Sequence, residues 1–411
     1  MAIQQLDVIG FRSLREVAWA PGKLNLLVGP NGAGKSNLLR IIELIGDSAR
    51  GQLATAVRDA GGMVPLIWNG EMTKFGWRVR IDPVDDGRDR EKDAVTYELQ
   101  LGQIGGGSSY AITCDSLGNW YKFEREGYGS PYWIFQRDAN RAMVFDRQVQ
   151  KLVRLPNEDF DLNESLLSQI ADPTNPIPRD AKRVFESWRV HHDVHVERGA
   201  PMRRPATTQH VRLVSADGDN LTNVLHTLYT GDRSFKNQID EGMRAAFGAD
   251  YGELQFRPAA SAQVQLAVWW KSCKEPHAAP ELSDGTLRFL FLLTVLANPH
   301  PAGLIAIDEP EAGLHPTMLP IVAEYAAAAS ERTQIVLSSH SPEFLDCFTT
   351  IEPTVTVFHW EHGQTSIFPL PSDKLAVWLS KYRLGQLFTS GELDGLALPD
   401  VEVDSESTLD H

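Results

Sequence analysis

Gly29-Pro30-Asn31-Gly32-Ala33-Gly34-Lys35-Ser36 is the stretch whose reading decides the fold. Just before it, Leu24-Asn25-Leu26-Leu27-Val28 is a short, mostly apolar run between Pro21-Gly22 and Gly29, the profile of a buried strand. Just after it, Leu38, Leu39, Ile41, Ile42 and Ile45 recur at helical spacing. Strand, glycine-rich turn and helix form the setting in which a G-x-x-x-x-G-K-[ST] match becomes a phosphate-binding loop. Gly29, Gly32 and Gly34 let the backbone curl until successive N–H groups point inward. The helix's first turn adds free N–H groups and the positive end of its dipole. The expected nucleotide contacts are therefore Asn31, Gly32, Ala33, Gly34, Lys35, Ser36 and Asn37. Lys35 should reach the β- and γ-phosphates, and the Ser36 hydroxyl should ligate Mg²⁺.

Three further blocks lie almost 250 residues downstream. Gly303-Leu304-Ile305-Ala306-Ile307-Asp308-Glu309 reads as an apolar strand ending in two carboxylates. Asp308 would hold Mg²⁺ through water, and Glu309, one step on, would polarise an attacking water. Gln334-Ile335-Val336-Leu337-Ser338-Ser339-His340 is a second buried strand, and it ends in a histidine. Such a histidine alone is more often a structural hydrogen-bonder, but about thirty residues after the acidic strand it stands where a γ-phosphate sensor belongs. Leu282-Ser283-Asp284-Gly285-Thr286 opens an apolar helix running from Leu287 to Ala297. As a bare pentapeptide this is an ordinary serine N-cap.

In this order and spacing the four blocks resemble the ABC-type ATPases of the RecF/SMC/OLD group, in particular the stand-alone bacterial AAA-family ATPases of the RecF-like type. Leu282 to Thr286 is similar to the group's signature motif, with Asp284 in place of the commoner second glycine. Ile9-Gly10-Phe11-Arg12-Ser13-Leu14 is similar to its N-terminal strand, and Asp308 to Pro316 to its acidic strand and following loop. Ser339-His340-Ser341-Pro342-Glu343-Phe344-Leu345 matches its histidine switch. The likeness is specific over roughly 1–45 and 280–345 and looser between.

The resemblance implies ATP and Mg²⁺ as cofactors, with Lys35, Glu309 and His340 as the catalytic set. It also implies a homodimer, or a higher even-numbered assembly, in which two heads sandwich two ATP molecules. Ser283 and the Gly285 backbone would then reach the γ-phosphate bound by the other head. Arg12 corresponds to a basic residue that contacts phosphate in relatives; otherwise it is a surface charge. The group's Q-loop glutamine has no clear counterpart.

Motifs from both ends must meet in one site, so the chain reads as one composite α/β head of the ABC type, with a mixed, mainly parallel core sheet. Its expected divisions are a lobe with the P-loop and an antiparallel β-sheet (1–155), a compact helical insertion (156–248), a lobe with signature, acidic strand and histidine (249–390), and an acidic, disordered tail (391–411). The tail has seven carboxylates from Glu392 onward and no Lys or Arg, and it carries much of the net charge of −15. Cys114, Cys273 and Cys347 show no pairing or metal spacing, which points to a reducing cytosol. The N-terminus lacks the basic and apolar regions of a signal peptide, and the apolar run 289–297 is about half a membrane span. The expectation is a cytoplasmic protein that does not engage a membrane.

Residues 64–150 alternate short β-like runs with turns, among them Trp77 to Ile81, Val95 to Leu99, Tyr110 to Ile112 and Trp120 to Phe123. Turn signals such as Asp85-Asp86-Gly87 separate them. From Leu162 to Phe247 the period reads as helical, interrupted at Asp172 to Pro178, with no sustained heptads and so no long coiled coil. Between 179 and 212, Arg179, Lys182, Arg183, Arg189, Arg198, Arg203, Arg204 and Arg212 outnumber four carboxylates. That composition fits either a face for DNA or an acidic partner, or an ordinary charged helix face. His191 and His195 would share a helical face, with His192 beside them, but no third metal ligand has suitable spacing.

The favoured function is a dimerising ATP-dependent switch, the sensor of an antiphage system with a separately encoded effector such as a nuclease. The alternatives are a RecF-like DNA-repair ATPase and an ATP-stabilised scaffold with negligible turnover. A transporter subunit would carry its signature about 100 residues after the P-loop, and a GTPase would need an N-K-x-D motif. About forty residues follow Thr365-Ser366-Ile367-Phe368, so the TOPRIM nuclease domain of OLD proteins is not expected in this chain.

Overall fold

The computed structural model describes residues 2–68, 71–82, 94–105, 107–119, 132–139, 141–146, 148–156, 159–170, 175–260 and 262–393. The Asp85-Asp86-Gly87 turn, the Trp120 to Phe123 run and the acidic tail from 394 onward lie outside them.

The core is a six-stranded sheet in the order Arg189–His191, Leu304–Asp308, Gln334–Ser339, Leu24–Val28, Thr354–Glu361, Gln364–Pro369. The first five are parallel and the last is antiparallel. Parallel strands are covered on both faces and therefore read as continuous apolar runs. Alternate residues feed opposite cores: Leu26, Val28, Ile305, Ile307, Ile335 and Leu337 enter one cluster, while Leu27, Leu304, Ala306 and Val336 enter the other. The first cluster holds the helices Asp284–Leu296 and Leu319–Ser330. The second packs the P-loop helix Lys35–Arg50 against an eight-stranded antiparallel sheet built from residues 3–19 and 74–155. Among the described residues no helix exceeds the sixteen residues of Lys35–Arg50, and none is long and apolar enough to cross a membrane.

One expectation needs correction. The segment 156–248 does not form a separate helical insertion. It does carry the helices Pro176–Ser187, Leu221–Gly231 and Arg233–Phe247. However, Arg189–His191 is the edge strand of the core sheet, paired with Ile305–Ile307, and Ala206–Thr207 pairs with Gln263 and Val264. Leu225, Phe235, Ile239 and Met243 share a core with the helix Asp284–Leu296. A three-residue strand is too short for its alternation to outweigh the helical pattern around it.

Register then brings the motifs together. Asp308 lies opposite Ser338, and Ser339 lies opposite Val28. The P-loop, the acidic pair and the histidine therefore leave the sheet at the carboxyl ends of adjacent parallel strands, where open α/β sheets bind ligands.

Candidate ATPase site

The P-loop helix is capped by Gly34, so no side chain accepts its first-turn N–H groups. The helices that begin after Ser283, Ser341 and Asp232 each have a side-chain oxygen doing so. An uncapped N-terminus facing solvent-exposed Asn31, Gly32 and Ser36 is a seat for an anion. Lys35 Nζ donates to the carbonyls of Gly29 (2.7 Å) and Pro30 (3.0 Å), which shape the loop around it. Burial lowers the Lys35 pKa, against the pull of Asp308, Glu309 and Glu311. Residues far off in sequence brace the loop from behind. Thr365 Oγ1 donates its one proton to Ala33 O (2.9 Å) and accepts from Ser13 Oγ (2.7 Å), while Asn37 Nδ2 donates to Ser13 Oγ (2.7 Å). Arg12 reaches the same corner, 3.5 Å from Asn37 Oδ1.

Asp308 is held by several donors. Its carboxylate accepts from Ser338 Oγ, and its other oxygen lies 3.4 Å from His192 Nδ1. The far nitrogen of that ring is 3.6 Å from Glu43 Oε2. Burial pushes the Asp308 pKa up, but hydrogen bonds from His192, Ser338 and Ser36 outweigh it and hold the carboxyl below its usual range. Burial likewise opposes protonation of His192, yet Asp308 and Glu43 raise its pKa. The two expected metal ligands, Ser36 and Asp308, thus adjoin as a hydroxyl and an ionised carboxylate. Hard oxygen donors of this kind fit Mg²⁺.

Glu309 occupies the left-handed region (φ 47°), which costs a non-glycine residue roughly 1–2 kcal/mol. Its N–H donates to Ser338 O and Oγ, both at 3.2 Å. Its carbonyl accepts from Ala312 N (3.0 Å) and Arg288 Nη2 (3.2 Å). The carboxylate is half-exposed, and Oε1 lies 3.0 Å from His340 Nδ1, a close contact without hydrogen-bond alignment.

The signature residues stand apart. Ser283 Oγ accepts from Thr286 N (3.1 Å) and caps the helix Asp284–Leu296. Ser283 and Gly285 line an open groove of about 710 Å³ with Arg198, Phe247, Gly313 and His315, and no P-loop residue contributes to it. A Cβ on Gly285 would lie 2.8 Å from Gly313 O, so the first turn of this helix rests directly on the loop after the acidic strand. Arg203, 3% exposed, donates to the carbonyls of Val196, Glu197, Ala279 and Leu282 and to the Asp284 carboxylate.

Arg203 is therefore an internal brace, not part of a basic face. Arg189 is likewise turned onto the carbonyls of Glu186 and Trp188. Arg179, Arg183, Arg198, Arg204 and Arg212 remain exposed. The histidine triplet also separates. His191 lies in the edge strand with Nδ1 3.0 Å from Ala216 O, and burial lowers its pKa to about 4. His195 pairs on the surface with Asp219 (3.3 Å), while only His192 enters the site. The helical face expected for His191 and His195 is absent because the strand Arg189–His191 is followed by a segment without helix. Sequence reasoning missed His192, Glu43, Ser338, Thr365 and Arg288 as neighbours of the motifs. The alternation of Val190, Val194 and Val196 was the one available sign that His192 follows a strand.

The model of the family described as "AAA domain, putative AbiEii toxin, Type IV TA system" matches residues 24–346. No curated protein matches the chain. Among solved structures it is similar to the SMC head domain with an extended coiled coil bound to the C-terminal domain of ScpA, derived from Pyrococcus furiosus. That likeness has 12% identity, covers 92% of this chain and 99% of that one, and has a TM-score of 0.55. A second SMC head, bound to the C-winged helix domain of ScpA, gives 14% identity, coverage of 92% and 100%, and a TM-score of 0.53. At such identities the likeness establishes the fold, an ABC-type head with an antiparallel lobe.

Proposed function

The chain belongs to the AAA-domain family that includes AbiEii-type proteins, and from that premise we propose that it is a Mg²⁺-dependent ATPase working as a dimerising switch. The observation that carries this reading is a division of labour. Lys35, Ser36, Asp308, Glu309 and His340 share one edge of the core sheet, while Ser283 and Gly285 face outward on a groove of their own. One copy supplies everything a triphosphate needs except donors above its γ-phosphate, and a second copy can bring those from its signature helix.

In this reading, Lys35 turns from the Gly29 and Pro30 carbonyls toward the β- and γ-phosphates as the backbone of Asn31 to Gly34 wraps them. Asn37 and Arg12 close the same corner. Ser36 and Asp308 would hold Mg²⁺, which neutralises charge on the phosphate oxygens. Glu309, strained and fixed through its backbone, orients the attacking water, and His340 at 3.0 Å senses the γ-phosphate and steadies the carboxylate. Ser283 and Gly285 of the partner complete the cage. Hydrolysis then releases the dimer. The family's description as a putative AbiEii toxin of a Type IV system supports a toxin–antitoxin setting, and within it we place the switch beside a separately encoded effector in phage defence.

Glu309→Gln tests the switch. The variant should bind ATP as wild type does and accumulate a dimer, read as an ATP-dependent doubling of mass in light scattering. A variant that stays monomeric at saturating ATP refutes the switch.

A further inference from the structure

The helix Asp284–Leu296 carries the signature at its first turn, and one turn further it carries a side chain that reaches the opposite site. Arg288 Nη2 donates to the main-chain carbonyl of Glu309 at 3.2 Å. Its Nε is buried with no hydrogen-bond partner among the described residues. Burial lowers the Arg288 pKa, while Glu311, Glu309, Asp193 and Asp308, in that order, draw it back up. The guanidinium is thus partly buried, fixed by one bond to the Glu309 main chain, and left with its Nε donor unused, so its contact with Glu309 is not one of several interchangeable anchors.

The surroundings are stiff. Asp284 is gripped by buried Arg203, and Gly285 rests on Gly313 with no room for a Cβ. The helix beyond is buried on nearly every side, with Leu287, Phe289, Leu290, Leu292 and Leu293 at most 1% exposed. A rigid helix transmits displacement at its first turn to a residue one turn along. Glu309 is the other end of the link. Its left-handed backbone is stable only while its N–H and carbonyl partners hold it, and Arg288 is one of those partners.

We propose that Arg288 is a positioning residue that links the signature face, where the partner's nucleotide docks, to the catalytic carboxylate Glu309 of its own chain. Closure on one nucleotide thereby sets the glutamate that hydrolyses the other. The inference rests on the dimerising reading above and adds to it which residue connects the two sites.

The test uses the full chain with Arg288→Gln and Arg288→Lys. Three quantities are read: ATP affinity by fluorescent-nucleotide titration, ATP-dependent dimer mass in the Glu309→Gln background, and steady-state kcat. Arg288→Gln should leave affinity and dimer mass within about twofold of the parent and lower kcat by about 30-fold or more. Arg288→Lys, which keeps a charged donor, should recover a substantial part of that loss. An unchanged kcat in Arg288→Gln overturns the proposal. So does a parallel loss of affinity, dimer mass and kcat, which marks a general packing role. If the Glu309→Gln parent itself fails to dimerise, the dimerising reading fails, whatever the two Arg288 variants do.

Discussion

Gly34→Ala should be far more damaging than Gly32→Ala, although both glycines sit in the same loop with positive φ (102° and 82°). Each substitution forces an alanine into the left-handed region, at about 1–2 kcal/mol. At Gly32 nothing lies within 4 Å of the new Cβ, so that strain is the whole cost in the nucleotide-free protein. At Gly34 the Cβ would stand 2.1 Å from Thr365 Oγ1 and 2.8 Å from Ser13 Oγ, inside any real contact distance. Thr365 must move, and its hydrogen bonds to Ala33 O and Ser13 Oγ go with it, at roughly 1 kcal/mol each. The Gly34 total is therefore about 3–4 kcal/mol, some 2 kcal/mol above Gly32. The assay is chemical unfolding without nucleotide, followed by ATP titration of the folded fraction. If the loop's cost is met on binding rather than on folding, about 2 kcal/mol appears as a further ~30-fold loss of affinity. Thr365→Ala introduced with Gly34→Ala should return part of the difference. Equal losses for the two glycine variants in both assays would refute the idea that the C-terminal hairpin braces the P-loop.

Lys35→Ala should abolish measurable ATP binding while leaving the melting temperature near wild type; retained affinity would remove Lys35 from the phosphate site. Ser283→Arg, placed on the open groove, should bind ATP within a few-fold of wild type yet lose hydrolysis and the ATP-induced dimer. Full turnover by that variant would end the reading in which the signature acts across two copies. Asp115 gives a pH prediction. It is fully buried, accepts from Leu166 N (2.6 Å), and burial pushes its pKa up to about 7. Between its ordinary value of 3.8 and about 7 the folded state keeps a proton that the unfolded chain has released, so this group costs stability as pH rises through that window. Asp115→Asn cannot ionise, and its stability relative to wild type should climb between about pH 4 and pH 7 and level off above. A pH-independent difference in unfolding free energy would contradict it.

Much of this was legible along the chain because the relevant physics is local. Leu24–Val28, Leu304–Asp308 and Gln334–Ser339 are apolar on both faces, so each reads as a buried strand, and each ends in the residues that a phosphate site uses. The P-loop helix and the signature helix are equally plain from their spacing and caps. The edge strand Arg189–His191 was not legible, because its identity rests on pairing with Ile305–Ile307 rather than on its own three side chains. The count of basic residues between 179 and 212 left two readings open for a related reason. Composition cannot tell an arginine facing water from Arg203, whose guanidinium is consumed by four carbonyls and a carboxylate.

By itself, the sequence determined where a P-loop, an acidic strand and a histidine-tipped strand lie along the chain. Those features are short runs whose backbone and side-chain chemistry act within a few residues. Only the tertiary structure decided which groups tune them. His192 reaches Asp308, Thr365 stands behind Gly34, and Arg288 holds Glu309, each because strand order and helix packing bring together segments that share no local pattern. Contacts of that kind depend on register and on which faces are buried together, and a linear chain records neither.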